Sequence, residues 1–163
     1  MGWGWTHGGC ENCHQCETGN HFRCVNAPRY YGIGDFDQGS FSTYAVWPDN
    51  HVQIIPDNID LEHAAPFLCA GQTVAIPLLR RGVKKGEHIG VVGIGGLGHL
   101  AIQFAAKMGA EIVVFSGTES KRDEAMKFGA GEFYVTKNLA TKKPEKGVDA
   151  LLVTTAKHPD WST

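Results

Sequence analysis

No apolar run in this 163-residue chain approaches the about 18 residues that a membrane span takes. A cationic excess is also missing. Fifteen Lys and Arg against 17 Asp and Glu leave a formal charge of −2, too little to neutralise a phosphate backbone, so nucleic acid is excluded as an expected partner. The first residues, Met1-Gly2-Trp3-Gly4-Trp5, have neither the basic start nor the apolar stretch of a secretory signal. The expected compartment is therefore the cytoplasm. Cysteine is scarce, with five in the chain. What is present, 42% apolar and 20% charged residues, is the composition of a folded soluble protein with a real core.

Four of the five cysteines fall in the stretch CENCHQCETGNHFRC, residues 10–24, as C-x2-C-x2-C-x7-C. In a secreted chain they could form disulfides, but reducing cytosol disfavours that, and links this short bring four thiolates round one tetrahedral ion. Zinc held by Cys10, Cys13, Cys16 and Cys24 is the expected occupant. Four protein ligands leave no position for water or substrate, so the site is expected to be structural. An iron–sulfur cluster uses the same ligand type, although the spacing matches neither ferredoxin run. His14 and His21 could substitute as ligands and are otherwise expected to face solvent. Disulfides or free thiols are the remaining alternative.

The second informative stretch is HIGVVGIGGLGHLAIQFAAKMGAEIVVFSG, residues 88–117. Ile89, Val91 and Val92 read as a short strand, followed at once by Gly93-Ile94-Gly95-Gly96-Leu97-Gly98. Leu97, Leu100, Ala101, Phe104, Ala105 and Met108 recur at helical spacing, Gly109 ends the helix, and residues 112–115 form a second strand. Strand, glycine turn, helix and strand give a G-x-G-x-x-G match its meaning. Gly93 permits the tight turn, Gly95 lets backbone approach a pyrophosphate, and Gly98 lets helix and strand pack closely, with Gly96 and Leu97 completing the anion-binding loop. The alternative is a glycine-rich turn that binds nothing.

The coenzyme is read at the end of the second strand, where NAD favours a carboxylate and a 2′-phosphate favours cations and hydroxyls. The residues are Ser116-Gly117-Thr118-Glu119-Ser120-Lys121-Arg122. NADP(H) is expected over NAD(H), with Ser116, Thr118, Lys121 and Arg122 as candidate contacts. Glu119 is the contrary residue, and the two cations could instead be a solvated first helical turn. Ser120 and Asp123 form a capping signal for a helix that runs to about Phe128 and stops at Gly129. EFYVT (132–136) and VDALLVTTA (148–156) read as third and fourth strands, separated by a charged loop or broken helix. The fourth strand is expected to leave an unpaired apolar sheet edge.

GWGWTHGGCENCHQC, GSFSTYAVWPDNHVQIIPDNIDLEHAAPFLCAGQTVAIPL and GVVGIGGLGHLAIQFAAKMGAEIVVFS together resemble successive blocks of the zinc-dependent medium-chain alcohol dehydrogenases, in particular the cinnamyl alcohol dehydrogenase branch. The resemblance implies an α/β architecture. Residues 1–70 would be part of a GroES-like β domain with a structural zinc lobe, Gly39–Pro56 resembling its closing strands, and residues 71–163 the first half of a Rossmann parallel sheet. It further implies that Cys69, in LCAG, is a ligand of a second, catalytic zinc, and that Thr73 lies near the nicotinamide. Read from the residues alone, Cys69 is a buried helix residue. The implied chemistry is hydride transfer between a small alcohol or aldehyde and the nicotinamide, with zinc polarising the oxygen. The family's other catalytic ligands come from a cysteine block and a Gly-His-Glu block preceding the lobe, and neither is in this sequence; His7, His51 and His63 do not stand in those motifs. The resemblance thus implies an internal piece, about half, of a homodimeric enzyme, inactive by itself. A non-catalytic zinc- and dinucleotide-binding module and an unstable truncated product are the alternatives.

Overall fold

The computed structural model describes residues 1–35 and 41–157, and its chain divides into two compact units, Met1–Cys69 and Ala70–Thr163. The first unit runs β1 (Gly2–Trp3), β2 (Thr6–Gly8), a one-turn helix α1 (His14–Glu17), β3 (Arg29–Tyr31), β4 (Gly34–Asp35), β5 (Val52–Gln53) and α2 (Leu61–Ala64). Strand β2 pairs antiparallel with β3, and β3 parallel with β4. A separate antiparallel ribbon joins β1 to β5. Of the segment expected to supply closing strands, Gly39 and Ser40 lie outside the described residues, and the rest contributes only a 3-10 turn at Asp49–His51 and β5.

Strands this short cannot build a large core. The buried side chains in this unit, among the described residues, are His7, Cys16, Cys24 and Ala64. Aromatic rings fill part of the deficit: Trp47 lies 5.2 Å from Trp3, 5.1 Å from His7 and 6.4 Å from Tyr31 by ring centroids, and Trp5 stacks on Tyr30 at 4.6 Å. Such pairs add roughly 0.5–1.5 kcal/mol each beyond their buried area.

The second unit consists of α3 (Ala70–Arg81), β6 (His88–Val92), α4 (Gly98–Lys107), β7 (Glu111–Ser116), α5 (Arg122–Phe128), β8 (Glu132–Val135) and β9 (Ala150–Val153). The last is shorter at both ends than the stretch 148–156 suggests. All four strands are parallel, in the order β8-β7-β6-β9. A parallel sheet covered on both faces needs strands that are apolar throughout. Ile89, Val91, Ile112 and Val114 are accordingly buried to 1% exposure or less, each burial stabilising the fold by roughly 1.5–3 kcal/mol. Helix α4 lies on β6 and β7, and Leu100, Ala101, Ile102 and Ala105 are buried along it. Val74 and Leu78 of α3 join the same core. At the edge, β9 leaves Leu151 39% exposed.

Helix α5 ends as its sequence suggests, on Gly129 at φ 108°, a left-handed conformation that costs glycine nothing. Its start differs from the expectation. Glu119–Lys121 form a 3-10 turn first, Lys121 takes the cap position, and no side chain caps the helix. Ser120 instead places its hydroxyl 3.0 Å from that of Thr118, so the capping signal is spent on a local contact.

The tightest packing joins α4 to the end of β6. A Cβ on Gly98 would lie 2.0 Å from the carbonyl oxygen of Gly93, whereas one on Gly96 would meet nothing within 4 Å. Gly98→Ala is therefore expected to destabilise the chain by about 3 kcal/mol or more, and Gly96→Ala to stay within about 0.5 kcal/mol. Urea unfolding of the two variants, compared at constant slope, checks this pair.

Candidate metal centre and nucleotide turn

The cysteine lobe is built on the loop after β2 and on α1. Cys10 and Cys13 precede the helix, Cys16 sits on its buried face, and Cys24 follows the 3-10 turn His21–Arg23. The four sulfurs all lie within 4.8 Å of one another, and Cys13 and Cys16 approach to 3.6 Å. Tetrahedral zinc with Zn–S bonds of about 2.3 Å sets its sulfurs about 3.8 Å apart. The residues present fit such an ion. None of the five cysteines is in a disulfide.

Donors around the quartet favour thiolate. The backbone N–H groups of Cys10 and Ala27 each donate to Cys24 Sγ at 3.3 Å, and the Asn26 side-chain amide donates to Cys10 Sγ at 3.2 Å. Hydrogen bonds to the charged form favour it. The Ala27 N–H is the main reason that the Cys24 thiol is drawn down to about 6, and the Cys16 N–H lowers Cys13. Burial pushes Cys16 the other way, up to about 12. A cation in the centre is what would let all four ionise together.

Two supporting residues were missed by a reading of ligand spacing. Gly9 leaves no room for a side chain, since its Cβ would lie 2.6 Å from Cys16 Sγ; Asn26 is visible only through its contact. His14 is exposed as expected. His21 does not face solvent: its side chain is 14% exposed, lies 3.5 Å from Glu11 and stacks on His51 at 4.5 Å. Burial, and then the His21 charge, lower the pKa of His51.

The glycine turn occupies the C-terminal end of β6, the position where parallel sheets bind nucleotides. Gly93 has φ 91°, and its Cβ would meet Thr155 at 2.6 Å. Gly95 and Gly96 are exposed and have open space where a Cβ would stand. Backbone N–H groups at the start of α4 thus border a surface a phosphate could reach, a fit to the dinucleotide's pyrophosphate. Leu97 is half-buried against the core.

Near the turn, at the end of β7, Ser116 is buried and its hydroxyl accepts from Thr118 N–H at 3.5 Å. The candidate cations are both engaged within the chain. Lys121 Nζ donates to the Ile94 carbonyl at 2.7 Å. Arg122 pairs with Glu119 and lies 4.7 Å over the Phe133 ring. That pairing raises the pKa of Arg122 and lowers that of Glu119.

Cys69 is exposed and sits where the 3-10 turn Ala65–Leu68 gives way to α3, not buried within a helix. Thr73 is exposed in the first turn of α3. Among the described residues, the only group of three or more potential ligands is the cysteine quartet, so Cys69 by itself does not make a second metal site.

Comparison with known proteins gives a consistent result. Residues 96–163 match the family described as zinc-binding dehydrogenase. The chain is 40% identical to cinnamyl alcohol dehydrogenase 7 of Arabidopsis thaliana over 98% of its own length and 47% of the relative's. It is 39% identical to a probable formaldehyde dehydrogenase of Bacillus subtilis, over 81% of this chain and 39% of that one. Among solved structures, a cinnamyl alcohol dehydrogenase of Sorghum bicolor superposes with a TM-score of 0.80 at 33% identity, covering 96% of this chain and 47% of the other. One from Helicobacter pylori, solved with NADP(H), gives 0.80 at 31% identity, covering 97% and 46%. The chain spans about half the length of the curated relatives it matches.

Reduced protein titrated with Co²⁺ is expected to take up one equivalent with thiolate-to-metal charge-transfer absorption, lost in Cys10→Ser. Binding should weaken continuously as pH falls through neutrality, because the Cys16 thiol, pushed up to about 12 by burial, must give up its proton to the ion, and more steeply below about 6, where Cys24 gains one as well.

Proposed function

We propose that this chain, a member of the zinc-dependent medium-chain alcohol dehydrogenases, forms the structural-zinc lobe and the pyrophosphate-binding half of an NADP(H)-linked oxidoreductase that interconverts small alcohols and aldehydes. The observation that carries the reading is the glycine turn: Gly98 touches Gly93 while Gly95 and Gly96 stay open at the end of β6. A bound nicotinamide coenzyme supplies the hydride acceptor or donor. The residues of this chain would hold and orient it. Turn amides and the start of α4 receive the pyrophosphate.

Support for NADP(H) over NAD(H) comes from the end of β7. Ser116 and Thr118 offer hydroxyls there, and Glu119, the nearby acid, is tied to Arg122. A carboxylate already paired is a poor partner for ribose hydroxyls. Lys121 directs one N–H to Ile94, and an ammonium has three, so it can also face a 2′-phosphate. Arg122 would take part only on leaving Glu119.

Cys10, Cys13, Cys16 and Cys24 would hold the structural zinc, whose contribution is to fold the lobe. Cys69 would give one thiolate to a catalytic zinc, and Thr73, a turn along, would lie beside the nicotinamide. One thiolate does not fix an open zinc site, which takes three protein ligands, and no catalytic step is assigned to these residues. For the whole enzyme, a cytoplasmic homodimer is the proposed state.

The test is coenzyme binding to the purified, reduced chain, followed by fluorescence, together with turnover of an aromatic aldehyde. NADPH is expected to bind about tenfold more tightly than NADH, the scale of one charge-assisted hydrogen bond. Equal or reversed affinities would overturn the coenzyme assignment, and no binding of either would overturn the dinucleotide reading. Binding without turnover is the expected outcome for this chain, in which Cys69 alone does not fix a catalytic zinc.

A further inference from the structure

Two side chains grip successive carbonyls of the glycine turn. Lys121, at the start of α5, reaches back to donate from Nζ to the Ile94 oxygen at 2.7 Å, and His99, in the first turn of α4, places Nδ1 3.1 Å from the Gly95 oxygen. A carbonyl only accepts, so this contact puts the proton on His99 Nδ1. Gly95 oxygen also receives the His99 backbone N–H at 3.1 Å. The His99 ring is half-buried, with its centroid 5.7 Å from that of Phe128.

These contacts have a directional effect. A trans peptide is planar, with its C=O and the next N–H pointing opposite ways. Holding the Ile94 carbonyl therefore aims the Gly95 N–H, and holding the Gly95 carbonyl aims the Gly96 N–H. Both lie in the exposed part of the turn where a Cβ would meet nothing. A turn with two glycines in succession is otherwise the segment with most freedom to lose on binding an anion.

We propose that Lys121 and His99 are positioning residues that preorganise the turn, fixing the Gly95 and Gly96 amides in the direction of the dinucleotide's pyrophosphate before it arrives. Lys121 then acts on every dinucleotide, whether or not it carries a 2′-phosphate. The proposal rests on the dinucleotide reading above and adds to it the source of the turn's rigidity.

The experiment uses the whole chain. Lys121→Met keeps the stem without the donor, His99→Phe keeps a ring without nitrogen, and His99→Asn returns an amide donor near the Nδ1 position. The first two are expected to raise the Kd of NADH by about tenfold, by removing preorganisation, and that of NADPH by at least as much, with His99→Asn recovering most of the loss. Loss confined to NADPH in Lys121→Met would overturn the proposal by making Lys121 a 2′-phosphate ligand only. A second readout needs no coenzyme. Carbonyl ¹³C shifts of Ile94 and Gly95 should move in Lys121→Met and His99→Phe respectively, with faster amide motion at Gly95 and Gly96; unchanged shifts and motion in folded variants would overturn the proposal. If wild type binds neither coenzyme, the dinucleotide reading fails, and these shifts still decide whether the two residues lock the turn.

Discussion

Two backbones touch where β6 passes into α4, and the second unit is arranged around that contact. With Gly98 pressed on the Gly93 carbonyl, the helix can lie on β6 and β7 closely enough for Ala101 and Ala105 to be fully buried. A small-residue helix face and an apolar sheet then need no larger side chains to fill the space between them. The same contact forces the intervening residues outward as a loop. Structural economy and anion-binding geometry are one constraint here, since the loop that exposes amides is the loop that lets helix and strand meet.

The first unit solves its stability by other means. It has short strands and few buried side chains, and two of those are Cys16 and Cys24. Domains with so little interior are usually stapled by disulfides or metal. The donors on Cys10 and Cys24 and the missing side chain at Gly9 are arranged round the sulfurs as a core is arranged round its largest residues. Removing charge from that centre would leave buried thiols with nothing comparable to pack against.

Periodicity and glycine placement made the second unit legible in advance: apolar strands, a helix ending at Gly109, and α5 ending at Gly129 all follow from local chemistry. The sulfur quartet was legible from spacing. Contacts between distant residues were not. Ser120-x-x-Asp123 looked like a cap because a short motif cannot reveal that a 3-10 turn will precede the helix. His21 looked solvent-facing because nothing near it in sequence announces the stacking of His51, thirty residues on. Lys121 and Arg122 were read as two equivalent cations, and only the fold separates them: one reaches the glycine turn, and the other is held by Glu119 and Phe133.

The position of β9 has a consequence for how the turn comes into being. Ile89 pairs with Ala150, and Thr154 then bonds the carbonyls of Val92 and Gly93 from 62 and 61 residues away. During synthesis the glycine turn therefore emerges long before its second wall. Helix α4 and strands β7 and β8 can assemble on β6 while its other edge is still bare, and loop-closure entropy makes the late pairing the slow one. A chain folded through β8 but not yet paired with β9 would hold the glycine turn open along one side, until Thr154 reaches the Val92 and Gly93 carbonyls.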